Sequence, residues 1–286
     1  MDKFSAVWLS HSSISTFKKC PRAYYLSSVY RDPRNGHKLA ITSPSFALGG
    51  AVHEVLESLS TKPVAERFRT PLLPLYRLAW DKVSGQRGGF DNEESEKRYF
   101  DKGAAMLARV SEHPGPLANK AVKIKMDLPH YSLSEEDNLI LCGKLDWLEY
   151  LEADDAVHII DFKTGAGEES VESLQLPIYH LLAHNCQTRP VKKASYWYVA
   201  RDDTPTERQL PDLDKSHELI LKVGKEMKLA RSLERFKCPG GDSGCKTCEP
   251  YEKILRGEAT FVGEGDYHSD LYALFENSTL PQSEIL

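Results

Sequence analysis

Asp146, Asp161 and Lys163 have the types and spacing to hydrolyse a phosphodiester with the help of a divalent cation. Asp146 lies in GKLDWLEY and the other two in IIDFKTG, and each segment follows an apolar run. In a strand alternate residues share a face, so Val157, Ile159, Asp161 and Lys163 point the same way. A carboxylate at the end of a buried β-branched run requires a partner, a metal or water. If the two segments pair antiparallel about a turn at 153–155, Asp146 and Asp161 come to lie nearly opposite each other. Two carboxylates so close repel unless a divalent cation lies between them. Such a cation polarises a phosphoryl oxygen and lowers the pKa of bound water, and a lysine can stabilise or deprotonate the attacking group. Alone, an Asp-x-Lys is more often an ion pair at a strand end, so the surroundings must decide.

Those surroundings are informative. Gln175 and Tyr179 are four apart on an expected helix, on a face distinct from the Leu174 and Ile178 core stripe. His53, in GGAVHEVLE, offers an imidazole for a Mg²⁺ or Mn²⁺ site. A zinc protease helix would need a second histidine four residues on, where this chain has Glu57. Cys238, Cys245 and Cys248 enclose a Gly/Asp/Ser-rich stretch, CPGGDSGCKTC, suited to wrapping backbone around a metal. Three thiolates leave one ligand missing, and Cys20 is the best fourth; four free structural thiols are the alternative. Cys142 and Cys186 read as core packing, as do Trp147, Trp197 and Tyr198 in apolar strands. Lys18, Lys19 and Arg22, beside Cys20, are candidates for phosphate contacts.

Taken in order, GGAVHEVLE, GKLDWLEY, IIDFKTG and Q-x-x-x-Y resemble the RecB/AddB-type branch of the PD-(D/E)XK nuclease superfamily. That branch includes the CRISPR-associated RecB-like exonucleases. The resemblance covers roughly residues 10–60 and 120–250, with 62–118 as a variable region. It implies an α/β (α+β) class with a restriction-endonuclease-like core, a mixed central sheet flanked by helices, and a helical insertion. By the same resemblance His53 and Asp146 are metal ligands, and Asp161 bridges one or two metals. Phe162 replaces the second acidic residue and offers its backbone carbonyl. Lys163 is the catalytic lysine, and Gln175 and Tyr179 orient the substrate. The expected metal is Mg²⁺ or Mn²⁺.

The resemblance also implies a 4Fe–4S cluster on Cys20, Cys238, Cys245 and Cys248. The spacing departs from the commoner C-x2-C with a later cysteine, because Ile254 stands where that ligand is expected. Zinc on four thiolates therefore stays open. The implied activity is exonuclease action on single-stranded DNA or DNA ends, in repair, recombination, CRISPR adaptation or phage DNA processing. A helicase or a CRISPR or recombination protein is the implied partner, since the chain has no helicase phosphate-binding loop. The rival readings are a non-catalytic DNA-end-binding or scaffold module, and a zinc-stabilised RNA-binding protein.

Positioning these residues is within reach of one domain spanning 1–286, with 41% hydrophobic and 28% charged residues. The net charge of −5 gives nucleic-acid binding no support of its own, although a local basic groove would suffice. No apolar run is long enough for a membrane span, the first residues do not read as a secretory signal, and six scattered cysteines suit a reducing compartment. A cytoplasmic location follows as an expectation. The pattern predicts helices over 12–30 broken at Cys20 and Pro21, a loop over 31–45, and a helix entered through Gly49 and Gly50. A helical insertion over 62–118 precedes a three-strand meander, VKIKMDL, NLILCGKLDWLEYL and AVHIIDFK. A helix over ESVESLQLPIYHLLAH, a strand at KKASYWYVA and a long helix over 213–236 follow. The Cys-rich 238–248 segment and a peripheral tail over 257–286, with a short helix, complete the expectation.

Overall fold

A computed structural model describes residues 5–275. The N-terminal part holds β1 (Val7–Leu9), α1 (His11–Lys19), α2 (Pro21–Tyr24) and β2 (Lys38–Thr42). Three helices follow: α3 (Pro44–Ser58), α4 (Leu73–Trp80) and α5 (Glu93–Glu112). Next come β3 (His130–Ser134), β4 (Leu139–Cys142), β5 (Trp147–Leu151) and β6 (Ala156–Lys163). The chain continues through α6 (Gln175–Cys186), β7 (Val191–Tyr198), β8 (Thr206–Arg208) and α7 (Leu213–Ser232). It closes with α8 (Glu249–Leu255), β9 (Thr260–Gly265) and β10 (Ser269–Ala273).

The sheet that matters for function has the order β5-β6-β7-β8. β5 and β6 form an antiparallel hairpin in which Trp147 pairs with Ile160, and its turn closes through Asp155 in the left-handed region (φ 44°). β6 and β7 are parallel, with α6 as the crossover between them. The two faces of β6 feed different cores, as strand alternation requires. Ile160 and Phe162 pack with Trp147, Trp197 and the apolar sides of α3, α4 and α5. Ile159 instead packs with Leu176 and Ala183 of α6 and with Tyr196. The sheet is thus sandwiched between α3, α4 and α5 on one face and α6 on the other, and α6 in turn packs against α7. Two further three-stranded sheets flank this unit, β1-β4-β3 and β2-β10-β9.

Several expectations need correction. The 31–45 loop contains β2, which pairs in parallel with β10, a partner too far along the chain for local signals to reveal. The tail forms that β9–β10 hairpin and not a short helix; residues 276–286 of the expected tail lie outside the described residues. α3 begins at Pro44, capped by the Ser43 hydroxyl accepting from Phe46 N–H, so Gly49 and Gly50 sit inside the helix and not at its entry. VKIKMDL forms no strand: the bridge between Ala121 and Glu149 falls just before it, so the three-strand meander reduces to the β5–β6 hairpin. NLILCGKLDWLEYL breaks after Cys142 into β4 and β5, which belong to different sheets. α6 starts at Gln175, later than expected, and α7 ends at Ser232. The break at Cys20 is as expected: the residue before a proline is driven to extended backbone, and Cys20 has φ −161° and ψ 108°.

Two glycines in these helices differ in what they permit. A Cβ on Gly103 of α5 would lie 2.0 Å from Tyr76 Oη and 2.8 Å from Leu48 Cδ1, whereas one on Gly50 of α3 would meet nothing within 4 Å. Gly103→Ala is therefore expected to destabilise the protein by about 1–3 kcal/mol despite the better helix propensity of alanine. Gly50→Ala is expected to stabilise it by up to about 1 kcal/mol. Urea unfolding of both variants beside the parent checks the pair; Gly103→Ala as stable as the parent would refute the close packing of α4 on α5.

Candidate active site

The site forms where β5 begins and β6 ends. Continuing the Trp147–Ile160 register by one residue sets Asp146 opposite Asp161. Asp146 precedes the first residue of β5, and its carboxylate accepts the Phe162 N–H at 2.9 Å where the ladder has stopped. Asp161 is 2% exposed. Its Oδ1 accepts from Gln175 Nε2 at 2.8 Å, while its Oδ2 has no well-directed hydrogen-bond donor and faces Lys163 Nζ in an ion-pair contact of 2.9 Å. Lys163 also donates to Gln175 Oε1 and contacts Glu169 at 3.1 Å. Gln175 Nε2 reaches Tyr179 Oη as well, at 3.2 Å, because residues four apart on α6 share one face. From the other side α3 brings His53, whose Nδ1 lies 3.4 Å from Asp146 and 3.5 Å from Glu57. Gly49 makes room for that approach, since a Cβ there would stand a slightly tight 3.3 Å from Thr164 Oγ1 just past β6.

The structure brings His53, Asp146, Asp161, Lys163, Gln175 and Tyr179 together. The Phe162 side chain lies in the opposite core, edge-on to His53 at 6.0 Å between ring centroids, which leaves only its backbone to serve the site. Two carboxylates escaped the sequence reading. Glu57 is one helical turn after His53, and that spacing could have flagged it. Glu169 lies on the loop between β6 and α6, where no periodicity announces a function. His11, at the start of α1, senses the charges of Glu169 and Lys163; burial first, then Lys163, lowers its pKa. Arg22, expected to contact phosphate, is taken up by a two-pronged pair with Glu252 at 2.6 and 3.3 Å.

Electrostatically the site is short of positive charge. Burial and the neighbouring Asp146 push the Asp161 carboxyl above the usual range, with Lys163 and His53 only partly opposing them. Burial disfavours a charged His53, but Asp146 and Glu57 overcome it and raise its pKa to about 10. His53, Glu57 and Asp146 each offer one donor atom within 4.8 Å of the others. That spread suits ligands sharing one octahedral ion at about 2.0–2.1 Å each. Imidazole and carboxylates are the donors such an ion takes, and the undirected Asp161 Oδ2 beside them fits the same purpose.

A second cluster joins the chain ends. Cys20, Cys238, Cys245 and Cys248 bring their sulfurs within 4.8 Å of one another, thiols of the kind that hold zinc or an iron–sulfur centre. Cys142 is buried in β4, and Cys186 packs against the core at the end of α6. Trp147, Trp197 and Tyr198 are buried, in keeping with core roles.

A mixed α/β fold with this acidic and lysine cluster at a strand end defines a class, and sequence comparison agrees with it. The model of the PD-(D/E)XK nuclease superfamily matches residues 8–252, and the chain belongs to that superfamily of metal-dependent nucleases. No curated protein matches the chain. Among the described residues no helix is long and apolar enough to cross a membrane.

The His53 pKa carries a prediction for metal-free protein. A histidine whose folded pKa lies above its ordinary 6.5 contributes stability fully below 6.5 and loses it as the pH rises towards about 10. With metal removed by a chelator, the difference in urea midpoint between the parent and His53→Ala should be widest below pH 6.5 and close as the pH approaches 10. A difference that stays constant across that window would refute the charged His53–Asp146 contact.

Proposed function

We propose that the chain is a single nuclease domain that cleaves DNA phosphodiester bonds with Mg²⁺ or Mn²⁺, as an exonuclease on single strands or ends. The observation that carries this reading is the meeting of His53, Asp146, Asp161 and Lys163 at one end of β6. His53, Asp146 and Asp161 would hold the metal, joined by Glu57 and by the Phe162 carbonyl. The metal supplies Lewis-acid polarisation of the phosphoryl group and a water of lowered pKa. Lys163 places its ammonium beside Asp161, where it can neutralise charge growing on the phosphoryl oxygens. Gln175 fixes the Asp161 and Lys163 heads through one amide, and Tyr179 holds that amide from behind. Glu169 keeps Lys163 protonated and aimed until a substrate phosphate takes its place. The setting we favour is DNA repair, recombination, CRISPR adaptation or phage DNA processing, in a reducing cytoplasm and beside a helicase or recombination partner.

The alternative, a DNA-end-binding module without chemistry, is disfavoured by a complete carboxylate and lysine set that binding alone does not require. End-labelled single- and double-stranded DNA incubated with Mn²⁺ tests the choice. Asp161→Ala and Lys163→Ala are each expected to degrade DNA roughly 10²–10⁴-fold more slowly than the parent, with circular dichroism unchanged. Equal degradation by all three proteins would overturn the site.

A further inference from the structure

We propose that the four cysteines bind one zinc ion, and not the 4Fe–4S cluster that the resemblance to RecB-like nucleases implies. The inference rests on the cysteines alone and is independent of the nuclease reading. Cys248 Sγ lies 3.7 Å from Cys238 Sγ and 3.8 Å from Cys245 Sγ, and all four sulfurs, Cys20 included, fall within 4.8 Å of one another. Zinc bonds thiolates at about 2.3 Å, so a regular tetrahedron of four has edges of about 3.8 Å. The two separations from Cys248 match that edge, and the remaining ones stay within 4.8 Å. In a cubane each thiolate binds a different iron and points away from the cluster body. The four sulfurs must then stand apart by the breadth of the whole cluster, which this arrangement does not leave.

The backbone around the sulfurs is built for the compact form. Ala23 N–H donates to Cys20 Sγ at 3.4 Å, Gly240 N–H to Cys238 Sγ at 3.3 Å and Cys245 N–H to Cys248 Sγ at 3.2 Å. These donors offset thiolate charge. The chain between Cys238 and Cys245 is folded tightly: a Cβ on Gly240 would lie 2.1 Å from the Gly244 carbonyl oxygen. Widening the site to admit a cluster would have to open that turn. Replacement of the expected late cysteine by Ile254, buried between Leu39 and Tyr272, belongs to the same picture. The fourth thiolate comes from Cys238, on the near side of the turn, and draws the set together. Four protein ligands leave no open position, so the ion is structural. Among single ions, soft thiolates and the affinity order favour zinc over ferrous iron. Zinc would tie the start of α2 to the start of α8 with a link indifferent to redox state.

The test is the metal content of the full chain, purified without oxygen from cells supplied with both iron and zinc. Elemental analysis with acid-labile sulfide is expected to find a single zinc per chain, no sulfide and no visible absorption. Anaerobic incubation with ferrous iron and sulfide should leave the zinc in place. Cobalt loaded into the metal-stripped protein should show the visible bands of a tetrahedral thiolate site, weakened in Cys238→Ser. Iron in place of zinc, as one ion or as a sulfide-containing cluster, would overturn the proposal, as would displacement of zinc on reconstitution. A protein that binds no metal in any arm would overturn it too. None of these readouts depends on DNA cleavage, so the nuclease assignment stands or falls separately.

Discussion

A buried carboxylate with an undirected oxygen organises this molecule. Asp161 lies two residues from the end of an eight-residue strand whose side chains are otherwise apolar except for His158 and Lys163, and it is almost wholly removed from water. Removing an ionised carboxylate from water costs several kcal/mol unless partners compensate. Gln175 satisfies one oxygen, and Lys163 meets the other only as a charge. Glu57, Asp146 and Glu169 stand close by, so even with His53 and Lys163 both protonated the four carboxylates outnumber the cations by two. One divalent ion would supply that deficit. Burial first, and then Asp146, drives the Asp161 carboxyl upward, while Asp146 and Glu57 overcome burial to hold His53 towards its charged form.

The elements around Asp161 follow from that constraint. The parallel crossover from β6 through α6 to β7 sets the first turn of α6 beside the end of β6, where Gln175 can hold Asp161 and Lys163 with the two ends of one amide. α3 approaches from the other face to deliver His53, and Gly49 spares it a slightly tight contact with Thr164. The helices over 73–112 hold α3 against the sheet through Tyr76, Trp80 and Leu107. These helices thus serve as the floor beneath the helix that carries His53.

What could be read from the residues divides along a physical line. The Asp146 and Asp161 pairing was legible because hairpin register is local: two alternating runs and a turn determine it. Gln175 and Tyr179 were legible from helix spacing. β2 was not, because its partner β10 lies at the far end of the chain and KLAIT between Pro33 and Pro44 has the look of a loop. VKIKMDL misled in the opposite sense, since its alternation builds no strand and the bridge to β5 is made by Ala121 just before it. Glu169 was invisible because its role depends on how a loop with Gly165 and Gly167 is routed, and alternation says nothing about such routing.

The two candidate metal centres share an element. α1 carries His11 at its first residue, near the Lys163 and Glu169 pair, and runs to Lys19 just before Cys20. Its opposite end is held in two ways, by the sulfurs gathered around Cys20 and by the Arg22 pair with Glu252 on α8. A helix of nine residues fixed at its C-terminal end cannot drift at its N-terminal end without tilting. Its Ile14 is fully buried among Leu9, Ile178 and Met227. A filled cysteine site would therefore bear on the candidate active site mechanically, by holding the α1 end that carries His11 beside Glu169 and Lys163. That bearing requires rigidity and no electron transfer, a demand that a closed single-ion site meets as well as a cluster.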